Sequence, residues 1–154
     1  MVRVLFVCLG NICRSTMAEA VFRKLVEEEG LADQIMVDSA GTAGWHAGEP
    51  PHQGTQEILE KHQISHHGIT SRQIHTRDWH LFHYMIAMDD QNIADLQLKK
   101  ENDDVVLAKL TDFIEDDDVT YVPDPYYTGD FNYTYELVTL GCRNLLKEIK
   151  TTLI

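Results

Sequence analysis

VRVLFVCLGNICRSTMAEA, residues 2–20, changes character twice within one short stretch. Val2, Val4, Leu5, Phe6 and Val7 make an apolar, β-branched run, the pattern of a strand covered on both faces. Gly10 and Asn11 follow, residue types that tolerate left-handed backbone. From Ser15 or Thr16 onward, Met17, Val21, Phe22 and Leu25 recur at helical spacing, and Thr16 with Glu19 matches a capping box. A strand that turns tightly into a helix aims unpaired N–H groups and the positive end of a helix dipole into the intervening loop. The stretch predicts an anion site with Cys8 at its entry and Arg14 at its exit, five residues between them.

Each of those side chains suits such a place. The thiolate is the reactive form of cysteine, and helix N-termini or cations lower a thiol pKa from about 8.5 toward roughly 3.5–7.5. A guanidinium offers a planar fork that matches two phosphate oxygens and keeps its charge at any working pH. Together they describe a cradle that binds a phosphoryl group, held by Arg14 and the amides from Leu9 to Ser15, with sulfur behind its phosphorus. That is the layout of a phosphatase working through a cysteinyl-phosphate.

Beyond Arg14 the pattern predicts a helix over 16–29, with Gly30 at its C-terminal end. Ile35 to Val37 reads as a second strand, and the Gly- and Pro-rich span 41–51, which holds Trp45, as a loop. A short helix over 54–62, a strand over 84–88, a helix over 91–100 and a strand over 105–110 follow. EDDD at 115–118 reads as a solvated acidic loop, and the last helix, 131–150, places Val138, Cys142, Leu145 and Ile149 on one face. Alternating strands and helices imply a three-layer α/β fold, a central four-stranded parallel sheet with helices on both faces. Ligands of such sheets sit outside the carboxyl ends of the strands, so Cys8, Ser39 and Asp89, each after a strand, should share one edge.

Length and composition bound the rest. At 154 residues and 44% hydrophobic content, the chain is expected to form one domain, 1–154, with a single core. No apolar run approaches the roughly 20 residues of a membrane span, and neither a secretory leader nor an N-myristoylation signal is expected. Three cysteines without metal-type spacing suit a reducing cytoplasm. Adjacent His66 and His67 make a poor chelate, so no metal and no cofactor is expected. A net charge of −12 argues against nucleic acid and anionic membranes as partners. It also leaves the attraction of a phosphoryl group to the local field of the loop.

Cys-x5-Arg-Ser directly after a first strand, in the form CLGNICRS, resembles the low-molecular-weight protein tyrosine phosphatases of bacterial type. The likeness runs nearly end to end, through DSAGT at 38–42, WHAGEPPH at 45–52, IAMDD at 86–90 and VPDPYY at 122–127. It implies a metal-independent, monomeric phosphatase acting on phosphotyrosine in proteins or peptides. By the same resemblance Cys8 is the nucleophile, and Asp124 is the general acid that protonates the phenolate and later activates water. Pro123 and Pro125 stiffen the backbone on either side of that carboxyl. Trp45, Tyr126 and Tyr127 correspond to walls of the phosphotyrosine pocket, with Tyr127 also able to pack inward. Ser15 resembles the hydroxyl that bonds the thiolate. Asn11 stabilises the loop conformation with Ser39 as its hydrogen-bond partner. Gly10, Ile12 and Cys13 complete the cradle, and Cys13 matches a thiol that forms a reversible disulfide with the nucleophile in the family. Cys142 belongs to the core.

Two positions depart from the nearest patterns. Thr16 stands where a proline usually follows CRS, which removes a residue preorganised for the first helical turn. Ile12 stands where the related protein arginine phosphatases have threonine, and with Tyr126 and Tyr127 it favours phosphotyrosine. Three other readings stay open: phosphoarginine hydrolysis on the same loop, arsenate reduction, and a non-catalytic phosphate-binding module. Arsenate reduction needs a resolving pair of cysteines, which Cys142 alone does not supply. A module without activity could dispense with Cys8 or Asp124, and both are present.

Overall fold

β1 (Val2–Cys8) lies inside a parallel sheet of order β2-β1-β3-β4, in a computed structural model that describes residues 1–153. Its partners are β2 (Ile35–Gly41) and β3 (Tyr84–Ala87), and β4 (Val106–Lys109) closes the far edge. Alternation along β1 divides the core into two layers. Val4, Phe6 and Cys8 face α1 (Arg14–Glu28), α2 (Gln53–Lys61) and α6 (Phe131–Thr152), where Met17, Leu59, Val138 and Cys142 are buried. Leu5 and Val7 face α3 (Asp78–Leu81) and α4 (Asp90–Lys99), through Trp79 and Leu96. A four-residue helix, α5 (Pro125–Thr128), precedes α6. The expected three-layer α/β architecture is the one observed, and its strand order reverses at β1. Cys8 therefore stands at the switch point, where open parallel sheets bind ligands.

α1 ends as its sequence predicts. Gly30 takes φ 69°, its N–H reaches Glu27 O, and Leu31 N–H reaches Val26 O, a Schellman motif. The start of α1 differs. It begins at Arg14, no side chain caps it, and Thr16 Oγ1 donates back to Cys13 O at 3.2 Å. The Thr16–Glu19 capping box does not form, because both residues are buried inside the helix rather than flanking it. β2 is longer than its apolar run, since Asp38 to Gly41 pair with Leu5 to Cys8. Ser39 thus lies within a strand, not after one. Gly41 is required there, for an added Cβ would meet Leu9 O and Ala43 O at 2.8 Å. The acidic stretch 115–118 is an exposed loop.

Candidate active site

In the loop from Leu9 to Cys13, four carbonyls are held by donors from outside the loop while the amides are left open. Ala43 N–H bonds Leu9 O at 3.0 Å, and Ser71 Oγ bonds Gly10 O at 3.1 Å. His52 N–H bonds Ile12 O at 2.8 Å, while Thr55 Oγ1 bonds Cys13 O at 3.2 Å. Among the described residues, no backbone N–H from Leu9 to Ser15 has an acceptor. Buried amides are almost always paired, so a run of them left open is a site for an anion. Asn11 makes the turn possible by taking φ 55°. Its Nδ2 donates to Ser15 Oγ at 2.7 Å and to Ser39 Oγ at 2.9 Å, and its Oδ1 accepts from Arg72 N–H at 2.9 Å.

Arg14 lies behind this loop, 3% exposed. Nη1 is committed to Asp89 Oδ2 at 2.7 Å and to Val122 O at 2.9 Å. Nη2 stands 3.6 Å from Asp124 Oδ2, and among the described residues Nε has no partner. The guanidinium is gripped by one corner, and its Nε–Nη2 edge remains to take two oxygens of an anion. Burial works against its charge, but Cys8, Asp89 and Asp124 more than offset that and raise its pKa. The sequence reading places Asp89 after a strand and assigns it no part in the site. Its Oδ1 caps α4 by accepting Asn92 N–H at 2.8 Å while Oδ2 aims Arg14, so one carboxylate joins the β3–β4 crossover to the loop.

Cys8, at the end of β1, opens onto a cavity of about 120 Å³ that Leu9, Gly10, Ile12 and Cys13 also line. Cys8 Sγ is 3.0 Å from Ser15 Oγ. The opposite walls are Trp45, His46, Asp124, Tyr126 and Tyr127. Asp124 sits in extended backbone before Pro125 at the start of α5, with Oδ1 accepting Tyr126 N–H at 3.1 Å. Trp45, Tyr126 and Tyr127 are 74%, 56% and 76% exposed, which places them at the rim and not in the core. Tyr127 does not pack inward; its ring stands edge-on to Tyr126, centroids 5.2 Å apart. Burial pushes the Cys13 thiol up to about 12, with Asp124 and Cys8 adding to the effect, so Cys13 stays neutral.

The cavity thus gathers Cys8, Leu9, Gly10, Ile12, Cys13, Trp45, Asp124, Tyr126 and Tyr127, whereas Asn11, Arg14, Ser15 and Ser39 support it from behind. Sequence reasoning missed His46, which pairs with Glu49 at the rim, and the groups that hold the loop carbonyls. Ser71, His52 and Thr55 reach the loop from distant segments, and nothing local marks them. The Asp-Asp pair before a helix was a readable capping signal for Asp89.

Comparison with known proteins gives a consistent picture. The family model for low molecular weight phosphotyrosine protein phosphatase matches residues 3–153. The low molecular weight protein-tyrosine-phosphatase YfkJ of Bacillus subtilis is 50% identical over 151 residues, 97% of each chain. Its crystal structure has a TM-score of 0.95 at 49% identity, over 99% of this chain and 96% of that one. The crystal structure of DARP, a Drosophila arginine phosphatase, is more distant, with TM-score 0.89 and 32% identity over 96% and 97% of the two chains.

Proposed function

This chain belongs to the low molecular weight protein-tyrosine-phosphatase family, and from that premise we propose that it hydrolyses phosphotyrosine in proteins or peptides through a cysteinyl-phosphate. The observation that carries the reading is a run of unpaired loop amides beside the buried Arg14, whose Nε has no partner among the described residues, next to the cavity lined by Cys8 and Asp124. The phosphoryl oxygens take the loop amides and the Nε–Nη2 edge of Arg14. Cys8 Sγ attacks phosphorus as the P–O bond to the phenol breaks, and Asp124 gives the departing oxygen its proton. Water then attacks phosphorus and yields its proton to Asp124. The S–P bond breaks, inorganic phosphate leaves, and the thiolate returns to the Ser15 hydroxyl. Preorganised donors meet the charge that spreads over the oxygens, the largest contribution to such a reaction.

The rings of Trp45, Tyr126 and Tyr127 suit a flat aryl group above a shallow cradle. Among the described residues no helix is long and apolar enough to cross a membrane. Three unpaired cysteines fit a reducing compartment such as the cytoplasm.

Cys8→Ser should abolish turnover while phosphate-analogue binding survives, and the wild type should yield a trapped phosphocysteine. Asp124→Asn should slow esters of poor leaving groups far more than those of good ones. Equal slowing would remove Asp124 from the acid role. Phosphotyrosine and phosphoarginine peptides assayed side by side test the second reading, which the likeness to DARP raises and Ile12 in the cavity wall disfavours. A clear arginine preference would reverse the assignment.

A further inference from the structure

Glu19, on the second turn of α1, takes no part in the chemistry above, yet it is 7% exposed and points toward the loop's supports. Its Oε1 accepts a hydrogen bond from Ser39 Oγ at 2.6 Å. Four more contacts continue from there: Asn11 Nδ2 to Ser39 Oγ at 2.9 Å, Asn11 Nδ2 to Ser15 Oγ at 2.7 Å, Ser15 Oγ to Cys8 Sγ at 3.0 Å, and Arg72 N–H to Asn11 Oδ1 at 2.9 Å. The last of these fixes the direction of all the others. A backbone N–H only donates, so the Asn11 amide cannot be turned over, and both Nδ2 contacts are donations. Ser15 Oγ, having accepted from Asn11, has its proton free for sulfur. Ser39 Oγ, having accepted from the same amide, must send its proton to Glu19. The chain of bonds has a single consistent polarity, and it terminates on a carboxylate.

We propose that Glu19 is a positioning residue for the reaction: through Ser39 it anchors Asn11 in the left-handed conformation that shapes the loop, and so keeps the Ser15 hydroxyl directed at Cys8. The proposal rests on Cys8 being the nucleophile.

The groups facing Glu19 come from several elements. Arg23 lies one turn on in α1, Asp38 and Ser39 come from β2, and Arg72 comes from the segment before α3. Arg72 spends its donors on Asp38 and Asp78, at 3.0–3.2 Å, rather than on Glu19. Glu19 is therefore a buried carboxylate whose only direct partner among the described residues is a neutral hydroxyl. Burial pushes its pKa up to about 7, Ser39 opposing and Asp38 adding to the rise. A neutral carboxyl is a weaker acceptor, and with its proton on Oε1 it becomes a donor, which leaves the Ser39 proton without a destination.

Glu19→Ala and Glu19→Gln separate this from a packing role. Alanine removes the acceptor, and kcat should fall by about tenfold or more. Glutamine keeps an acceptor oxygen but loses no proton, so it should restore most of kcat. It should also erase an inflection near pH 7 that the wild type shows in kcat. The same inflection, and its loss, should appear in iodoacetamide alkylation of Cys8, followed by peptide mapping. That readout needs no turnover, so it answers for Glu19 even if no phosphocysteine can be trapped. Wild-type kcat in a folded alanine variant, or an unchanged inflection in the glutamine variant, would overturn the proposal.

Discussion

Arg14 and Glu19 are two buried charges on one helix, in opposite surroundings. Arg14 has Asp89 and Asp124 around it, and both favour the charged form. Glu19 has a hydroxyl, and its carboxyl is raised from 4.5 to about 7 chiefly by burial. A group that binds its proton more tightly folded than unfolded stabilises the fold most below its unfolded pKa, and that contribution is lost as pH rises through the folded pKa. Glu19→Gln carries no charge at any pH. The variant should match the wild type in stability below about pH 4.5 and overtake it as pH rises toward about 7. Above that the gap should hold at about 3 kcal/mol. Urea midpoints at pH 5 and pH 8 measure it. A variant less stable than the wild type at pH 8 would mean that an ion pair, absent from the geometry, holds the charge. Glu19 itself was visible in the sequence only at the wrong job, as half of a capping box. Helical periodicity showed where it stood but not that Ser39, twenty residues on, would face it.

At the scale of elements, local signals sufficed wherever a segment's own sequence sets its shape. β1, the turn into α1, the glycine that ends α1 and the apolar face of α6 are all of this kind. They failed where a neighbour decides. Asp38 to Gly41 carry no strand pattern of their own and are extended because β1 offers them a partner. α3 and α5, each four residues long, give no periodicity to read. The start of α4 is where element and site meet, since Asp89 both caps that helix and holds Arg14. Two substitutions divide those duties. Asp89→Asn keeps a capping oxygen and loses the charge, whereas Asp89→Ala loses both. The alanine variant should be less stable than the asparagine variant by about 1 kcal/mol. Both should lose kcat/KM alike, by about tenfold, because Arg14 is no longer aimed. Thermal melts and steady-state kinetics on the pair decide it. Full activity in Asp89→Asn would show that Val122 O alone orients the guanidinium.

Across the whole molecule, the sheet's switch point, the loop and the first helix agree on one place for an anion, although the chain as a whole repels anions. Asp and Glu number 25 against 13 Lys and Arg. Exposed charges are screened within about 8 Å at physiological salt, while a buried guanidinium and fixed amide dipoles are screened far less. Attraction therefore belongs to the cavity and repulsion to the surface, and salt can separate them. For a phosphotyrosine peptide flanked by acidic residues, kcat/KM should rise several-fold between low ionic strength and about 0.15 M, as the surface field collapses. For a peptide with enough flanking lysines to carry a net positive charge it should fall, and for a small aryl phosphate, a dianion with no flanking charges, it should rise less than for the acidic peptide. The effect should lie in kcat/KM and spare kcat, because encounter is altered and the bound geometry is not. A fall with salt for the acidic peptide would mean that the positive field of Arg14 and the loop reaches past the rim formed by Trp45 and Tyr127 and steers substrate from solution.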